Sequence, residues 1–384
     1  MIETSNSYAR GLLRGIRDYE KFHKSWSIFL AEHSRGKPDL FWLKNWEGDG
    51  IIARIENEII ADAILESGLP AVDLSAGRYI PNLIWVETND KLVAKLAAEH
   101  LTNCGLRKFA YCGDPYFNWS KWRQKHFEDL IYDDFGYKCF IYELSSQGKI
   151  KLGWLEERDK MSEWLLSLPK PIGIMACYDI CGQQVIEACR SVGIYVPDEV
   201  AVIGVDNDNL LCELSDPPLS SVTTDPHQTG YLAAELLDRI LGKEKIFHTK
   251  YLIDPIGVVG RQSTNVLSIE DKYVSDAIKF INENIDRNIK VQDVLAEIPL
   301  SRRVFEKRFY KELSRTPKEE ITRIKLLEVG KLLIETDLTL FSIAEKTGFK
   351  HLEHMSSLFK RKIGISPSHY RVKYRYHKYP TLSE

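Results

Sequence analysis

The feature that most restricts how this chain can fold is a pattern that occurs twice near its C-terminus, about fifty residues apart. The first copy reads Val291-Gln-Asp-Val-Leu-Ala-Glu-Ile-Pro-Leu-Ser-Arg-Arg-Val-Phe-Glu-Lys-Arg-Phe309. The second reads Phe341-Ser-Ile-Ala-Glu-Lys-Thr-Gly-Phe-Lys-His-Leu-Glu-His-Met-Ser-Ser-Leu-Phe-Lys-Arg361. Each predicts a short apolar-faced helix, a tight turn and a longer helix rich in Arg, Lys and His. In the first, Ser301 is a natural N-cap, and Phe305, Phe309 and Leu313 recur at four-residue intervals to form a buried face. Arg302, Arg303, Glu306 and Lys307 are left on the other face. In the second, Met355, Leu358 and Phe359 point inward, leaving Lys350, His351, Glu353, His354 and Ser357 outside, with Lys360 and Arg361 placed for phosphates. Gly348 suits a turn that needs a positive φ.

Such helices suit double-stranded DNA, because the major groove admits one α-helix whose side chains reach base edges. Arg can hold guanine through two parallel hydrogen bonds, and Glu can accept from cytosine. Two units on one body would read neighbouring turns of a duplex. The plain alternative for the same charges is a solvated helix face.

Charge divides the chain in the same place. From Val266 to Glu384 there are 23 Lys and Arg against 17 Asp and Glu, and before it 29 against 38. A basic segment on an acidic body is what a phosphate-binding module requires. The 384 residues, 44% of them hydrophobic, suffice for two or three domains with real cores. There is no run of eighteen apolar residues and no N-terminal signal pattern, so a membrane span is not expected and a cytoplasmic location is. The seven cysteines are odd in number and scattered, which predicts reduced structural thiols. His351 and His354 lie three apart with no further ligand nearby, so neither a metal nor a cofactor is expected.

Texture separates the two parts further. Strand-like runs (Trp26 to Leu30, Gly50 to Ala53, Ala71 to Asp73, Lys108 to Cys112, Tyr137 to Ile141, Ile172 to Cys177, Val200 to Val205) alternate with helical ones. The latter are Tyr8 to His23, Asn89 to Asn103, Trp119 to Phe135, Leu152 to Leu168, Tyr178 to Ser191 and His227 to Leu241. This rhythm predicts βαβ units and parallel sheets covered on both faces. After Arg261 the strands stop, Gln262 to Asn265 reads as a polar linker, and the rest has helical spacing. The expected division is a domain over 1–262, a linker over 263–270, a helical domain over 271–376 and a tail over 377–384.

Ser314-Arg-Thr-Pro317 and Gly364-Ile-Ser-Pro-Ser-His-Tyr-Arg371 close the two units alike. Together with Ile343-Ala344 and Gly348-Phe349, they resemble the DNA-binding domain of the AraC family of transcription regulators. That resemblance implies seven helices, with a long linker helix from Lys318 to Glu335; Met355 stands where the family usually has Phe. The N-terminal part resembles the sugar-binding core of LacI-type regulators and periplasmic binding proteins. It does so through Gly11-Leu-Leu-Arg-Gly-Ile16, Val200-Ala-Val-Ile-Gly-Val-Asp-Asn207, and Pro218-Leu-Ser-Ser-Val222 leading to Gly230-Tyr-Leu-Ala-Ala-Glu-Leu-Leu237. Sensor first and reader second resembles the arrangement of a family of xylose-responsive regulators. The implied fold is a two-lobed α/β domain of the periplasmic-binding type, with parallel sheets, followed by an all-α domain carrying two helix-turn-helix units. The implied partners are promoter DNA, a xylose-like sugar, RNA polymerase and a second copy of the chain.

A sugar offers vicinal hydroxyls to carboxylates and Arg, and a C–H face to aromatic rings. Asp206 follows an apolar strand directly, so its carboxylate emerges at the strand's carboxyl end, where such folds bind ligands. The sensor resemblance adds Arg123 and Asp179, offers Trp119 and Trp122 for stacking, and places Asn6 and Tyr8 in the first cleft-facing turn. Asn207 is read as bracing the turn. Structural alternatives stand beside each: a cap for Asp206, a surface ion pair for Arg123, a core position for Trp122. Two departures from the sensor pattern are visible. Met1-Ile-Glu3 leaves little of the usual first strand, so poor stability is expected, and Asp225 precedes Pro226 where Gln is common.

The chain contains no His-Glu-x-x-His, phosphate loop, Gly-x-Ser-x-Gly elbow or dinucleotide fingerprint, and a catalytic role is not expected. The expectation is a sugar-controlled, sequence-specific regulator of transcription, an activator of pentose catabolism. The competing reading is a sugar-binding module whose basic C-terminus contacts protein.

Overall fold

Apolar runs between Ile51 and Val205 are short enough for strands and most are separated by amphipathic helices, so that most strands meet a parallel neighbour across a helical crossover, while β2 and β3 are joined by a loop. The computed structural model describes residues 1–23, 26–30, 40, 42–75, 77–133, 135–145, 153–265, 271–313 and 315–375. The chain divides into two units, Met1–Thr102 with Leu106–Val266, and Asn103–Gly105 with Leu267–Glu384.

The first unit has two lobes. The first lobe starts with α1 (Ser7–His23), β1 (Ile51–Ala53), α2 (Glu58–Ser67), β2 (Ala71–Asp73) and β3 (Ile84–Thr88). The second contains α3 (Asp90–Asn103), β4 (Phe109–Gly113), α4 (Asn118–Asp133), β5 (Cys139–Glu143), α5 (Trp154–Ser167), β6 (Ile172–Ala176), α6 (Asp179–Ser191), β7 (Val200–Val205), α7 (Asn209–Leu214) and β8 (Ser220–Thr223). The chain returns to the first lobe with α8 (Pro226–Leu241) and β9 (Lys250–Ile253), then crosses back for β10 (Gly257–Val259). The sheets have the orders β1-β2-β3-β9 and β10-β8-β7-β6-β4-β5, and among the described residues only β10 runs antiparallel. Strands β4, β6 and β7 are buried at every position, as parallel strands covered on both faces require. Crossings at Thr88–Asp90, Thr223–Pro226 and Ile253–Gly257 make a three-stranded hinge. Within it, Asn89 Nδ2 donates to Asp254 Oδ1 at 2.9 Å, and Asp225 caps α8 by accepting from the Gln228 amide at 3.0 Å.

Helices α1 and α8 pack closely in the first lobe because glycines remove the side chains between them. A Cβ on Gly15 would lie 2.0 Å from the His227 carbonyl oxygen, and one on Gly230 would lie 2.0 Å from that of Leu12. At the chain start, the Met1 amino group donates to the Ile52 carbonyl at 2.7 Å and the Arg54 amide donates to Met1 at 3.1 Å, so this residue lies along the edge of β1. Ile2 and Glu3 are buried.

Some expectations need correction. Trp26 to Leu30 has strand-like composition but forms no strand; Phe29 packs instead on the rings of Trp42 and Trp46, at 4.9 and 4.7 Å between centroids. The start of the supposed linker is also misread. Gln262–Thr264 is a 3-10 turn whose Ser263 and Thr264 are buried against the larger sheet. The Ser263 hydroxyl donates to the Val202 carbonyl at 2.6 Å and accepts from the Ser220 amide at 2.8 Å. Small polar residues read as linker by composition, yet here their hydroxyls satisfy buried backbone groups. The rest of that linker, 266–270, and the tail, 377–384, lie outside the described residues.

The second unit contains α9 (Lys272–Glu283), α10 (Val291–Ala296), α11 (Arg302–Leu313), α12 (Pro317–Glu335), α13 (Leu340–Lys346), α14 (Leu352–Ile363) and α15 (Pro367–Arg375). Helices α10–α11 and α13–α14 form the two helix-turn-helix units. Helix α12 starts with a capping box between Thr316 and Glu319 and serves both halves. Its Ile321 and Ile324 join the core built on Phe305 and Phe309, while Val329 and Leu333 join the core built on Met355 and Phe359.

Gly348 joins the halves. Its φ of +64° is one that few side chains adopt, and a Cβ there would sit 2.1 Å from the Arg287 carbonyl oxygen of the other half. The buried Lys325 ammonium donates to the Gly348 carbonyl at 2.7 Å. Gly348→Ala is therefore expected to cost at least about 1–3 kcal/mol through the left-handed backbone alone. Urea unfolding of this unit within the full chain measures it; a parental midpoint would show that neither the left-handed backbone nor the approach to Arg287 carries a cost.

Candidate functional site

The carboxyl ends of both sheets face a cleft of about 390 Å³ between the lobes. Strand ends deliver its polar groups: Arg54 just after β1, Glu87 and Thr88 at the end of β3, Asp114 just after β4, Asp179 beyond β6 and Asp206 after β7. Asn6, Tyr8, Trp119, Arg123, Asp179 and Asp206, all expected from the sequence, line this one cavity.

Arg123 is the most constrained of them. It is buried, its Nε and Nη2 hold Asp90 Oδ1 at 2.8 and 2.7 Å, and its Nη1 donates to the Cys177 carbonyl. Burial opposes its charge, but Asp90 and Asp206 outweigh that and raise its pKa. Asp90 stays above its ordinary range because burial prevails over the pull of Arg123. Trp119 stacks on Phe117 at 5.3 Å and lies 5.1 Å from the Arg123 guanidinium. Asn6 caps α1, its Oδ1 accepting from the Ala9 amide at 2.8 Å, and the Tyr8 hydroxyl lies 3.0 Å from Thr88 Oγ1.

The two aspartates differ in environment. Asp179 is buried and already accepts from the Ser221 hydroxyl at 2.6 Å and the Asp208 amide at 2.7 Å; burial, with Asp206 nearby, pushes its pKa well up. Asp206 is half-buried at φ 99°, with Thr224 Oγ1 3.3 Å from its Oδ1. Asn207 braces the turn, its Oδ1 accepting from Arg261 at 2.8 Å. Trp122 must be corrected: it stands outside the cleft lining, 37% exposed, with the Arg78 guanidinium 3.7 Å from its ring centroid.

Sequence reasoning missed Arg54 and Glu87. Arg54 binds Glu3 at 2.5 Å and Glu56 at 2.9 Å, and Glu87 Oε1 accepts from Arg78. Arg54 Nε and Glu87 Oε2 are nonetheless buried without a hydrogen-bond partner among the described residues. Orphaned donors and acceptors of this kind are costly unless something else meets them. The available signal was position, since each ends or follows a strand at the same sheet edge.

In the second unit, Arg302, Arg303 and Lys307 on α11 are exposed and Glu306 is half-buried. Arg302 Nε holds Glu306 Oε1 at 2.9 Å, a helical pair four residues apart. Lys350, His351, Glu353, His354, Ser357, Lys360 and Arg361 are exposed on and just before α14, and His354 packs edge-on to Phe349 at 5.7 Å. Behind them Phe305, Phe309, Met355 and Phe359 are fully buried, so each helix turns its polar edge to solvent and its apolar edge to the core.

Burial raises Glu87 to about 7, while the Arg78 contact pulls the other way. A carboxyl that ionises later when folded than when unfolded favours the fold most below its ordinary range of about 4.5, and loses that contribution as pH rises towards 7. Thermal unfolding of Glu87→Gln should therefore show a shallower fall in stability between about pH 5 and 7 than the parent. Parallel curves would show that Glu87 ionises normally.

Profiles of known families match in three segments: the XylR N-terminal domain over residues 1–90, the periplasmic binding protein-like domain over 98–264 and the helix-turn-helix domain over 295–373. The chain is 30% identical over 380 residues to the xylose operon regulatory protein of Escherichia coli K12, covering 97% of this chain and 95% of that protein. It is 30% identical over 383 residues to the protein of the same name from Haemophilus influenzae, covering 97% of each. A solved structure described as the xylose-binding transcription activator xylR superposes with a TM-score of 0.64 at 29% identity, covering 97% of both chains. With likeness at this level running through sensor, hinge and both helix-turn-helix units, the chain belongs to the family of xylose operon regulatory proteins.

Proposed function

We propose that this protein activates genes of pentose catabolism by binding promoter DNA under the control of xylose held in the cleft. One observation carries the reading. A cleft of about 390 Å³, at the small end of ligand pockets, holds buried Arg54 and Glu87 atoms without partners, on a chain that also presents two solvent-facing recognition helices. Xylose as the effector comes from the names of the relatives, and a pentose supplies hydroxyls suited to these atoms.

Asp206 and Arg123 would grip vicinal hydroxyls, with Asn6, Tyr8 and Asp179 closing the polar wall and Trp119 covering a C–H face. Arg302, Arg303, Glu306 and Lys307 would read one major-groove segment and Lys350, His351, Glu353, His354 and Ser357 the next, with Lys360 and Arg361 on phosphates. Sugar binding would shift the population of the sensor towards its closed form, and that form would favour DNA engagement. The family resemblance supports a homodimer, a cytoplasmic setting and RNA polymerase as the further partner. Among the described residues no helix is long and apolar enough to cross a membrane.

Calorimetry with xylose tests the cleft: Asp206→Asn and Arg123→Ala are each expected to weaken binding about tenfold or more, the loss typical of a charged hydrogen bond. Unchanged affinity would remove them from the site. Retention of upstream promoter DNA tests the helices. Arg302→Ala and His351→Ala should lose it while thermal unfolding is unchanged, and retention equal to the parent's would favour protein contacts instead.

A further inference from the structure

Trp122 has no place in the cleft, yet it meets the opposite lobe. It lies on α4 of the second lobe, and the guanidinium covering it belongs to Arg78, from the β2–β3 loop of the first. The same guanidinium lies 4.6 Å from the centroid of Trp85 on β3, so it is held between aromatic rings of both lobes. One residue earlier in that loop, the Gly77 carbonyl accepts from Asn118 Nδ2, at the start of α4, at 3.2 Å. Gly77 cannot be replaced freely, since a Cβ there would lie 2.2 Å from the Ile55 carbonyl oxygen. The loop and the first turns of α4 therefore meet directly across the mouth of the cleft.

Arg78 also reaches inward. It pairs with Glu87 through Oε1; Glu87 lines the cleft, and its Oε2 is buried behind that lining with no partner among the described residues. A ligand hydroxyl donating to Oε2 would fix the carboxylate, the carboxylate fixes Arg78, and Arg78 fixes Trp122. On the other side of the cleft, Trp122 adjoins Arg123 and lies one turn beyond Trp119 on the same helix, so a clasp on Trp122 also sets the lobe that would contact the sugar.

We infer that Arg78 and Trp122 form a cation–π clasp that holds the lobes closed over bound sugar, coupled to the ligand through the two oxygens of Glu87. The inference rests on the sugar-binding reading of the cleft. Trp122 and Arg78 act as positioning residues, because neither touches the ligand. The clasp lies at the rim, both Arg78 and Trp122 being exposed, so its loss should change the balance between open and closed forms without unfolding the lobe.

The test compares the full chain with Trp122→Leu, which deletes the aromatic face, and Trp122→Phe, which keeps one. Trp122→Leu is expected to bind xylose about three- to tenfold more weakly, within the range of a partly desolvated cation–π contact, through faster dissociation at an unchanged association rate. Trp122→Phe should stay within about twofold of the parent. Hydrogen exchange without sugar should quicken in Trp122→Leu at the Gly77 loop and the first turn of α4, and nowhere in the cores, a pattern that general destabilisation would not produce. Parental affinity, dissociation and local exchange in Trp122→Leu would overturn the clasp. If the parent takes up neither xylose nor another pentose, the sugar reading falls by itself, and the ligand-free exchange then decides whether the clasp between the lobes exists.

Discussion

Charge buried at the meeting of two lobes governs the sensor. Arg123 and Asp90 are both out of water, and such a pair persists only when the remaining hydrogen-bonding capacity is met; the Cys177 carbonyl meets part of it. Arg54 is buried with Glu3 and Glu56 on the facing wall. These contacts hold the polar groups in place before any ligand arrives, so a sugar would lose little by ordering them. They also leave Arg54 Nε and Glu87 Oε2 incompletely satisfied, and a hydroxylated guest is the simplest group that would meet both.

A different economy of burial governs the DNA-facing unit. Each helix-turn-helix has a small core, and neither half has the mass of a domain that is comfortably stable alone. Helix α12 resolves this by lending apolar residues to both cores, and the Lys325–Gly348 hydrogen bond with the close approach of Gly348 to Arg287 joins them. Two recognition helices built into one packed body have a set spacing, which a duplex must match. The polar edges of α11 and α14 then need little structural duty of their own, and the exposed Arg302–Glu306 pair contributes little to holding the helix.

Much of this is legible in the sequence. Four-residue spacing of Phe305, Phe309 and Leu313 predicted the buried edge of α11, and all three are buried. The position of Gly348 between two helices calls for a positive-φ turn, and it adopts one. The continuous apolar run of β7 puts Asp206 at a strand's carboxyl end, and it lines the cleft. Arg54 and Glu87 escape for another reason. Arg54 directly follows the recognised run Gly50 to Ala53 and Glu87 lies in the β-favouring run Ile84–Thr88, but a charged residue at a strand end reads as solvated, and its burial is set by partners distant in sequence. Trp122 lies one step around the helix from the cleft-facing position. Adjacent residues are separated by about 100°, enough to put Arg123 into the cleft and Trp122 outside it. Ser263 and Thr264 misled for another reason, since composition cannot reveal which hydroxyls meet buried backbone groups.

The central claim is that sugar in a charged cleft controls two reading helices that act as one body. Hydroxyl-radical footprinting of the full chain on the DNA upstream of its own gene, with and without xylose, examines both halves of that claim together. The account predicts protected segments spaced by a helical turn that strengthen when xylose is added. Protection confined to one groove segment, or a footprint indifferent to xylose, would contradict it.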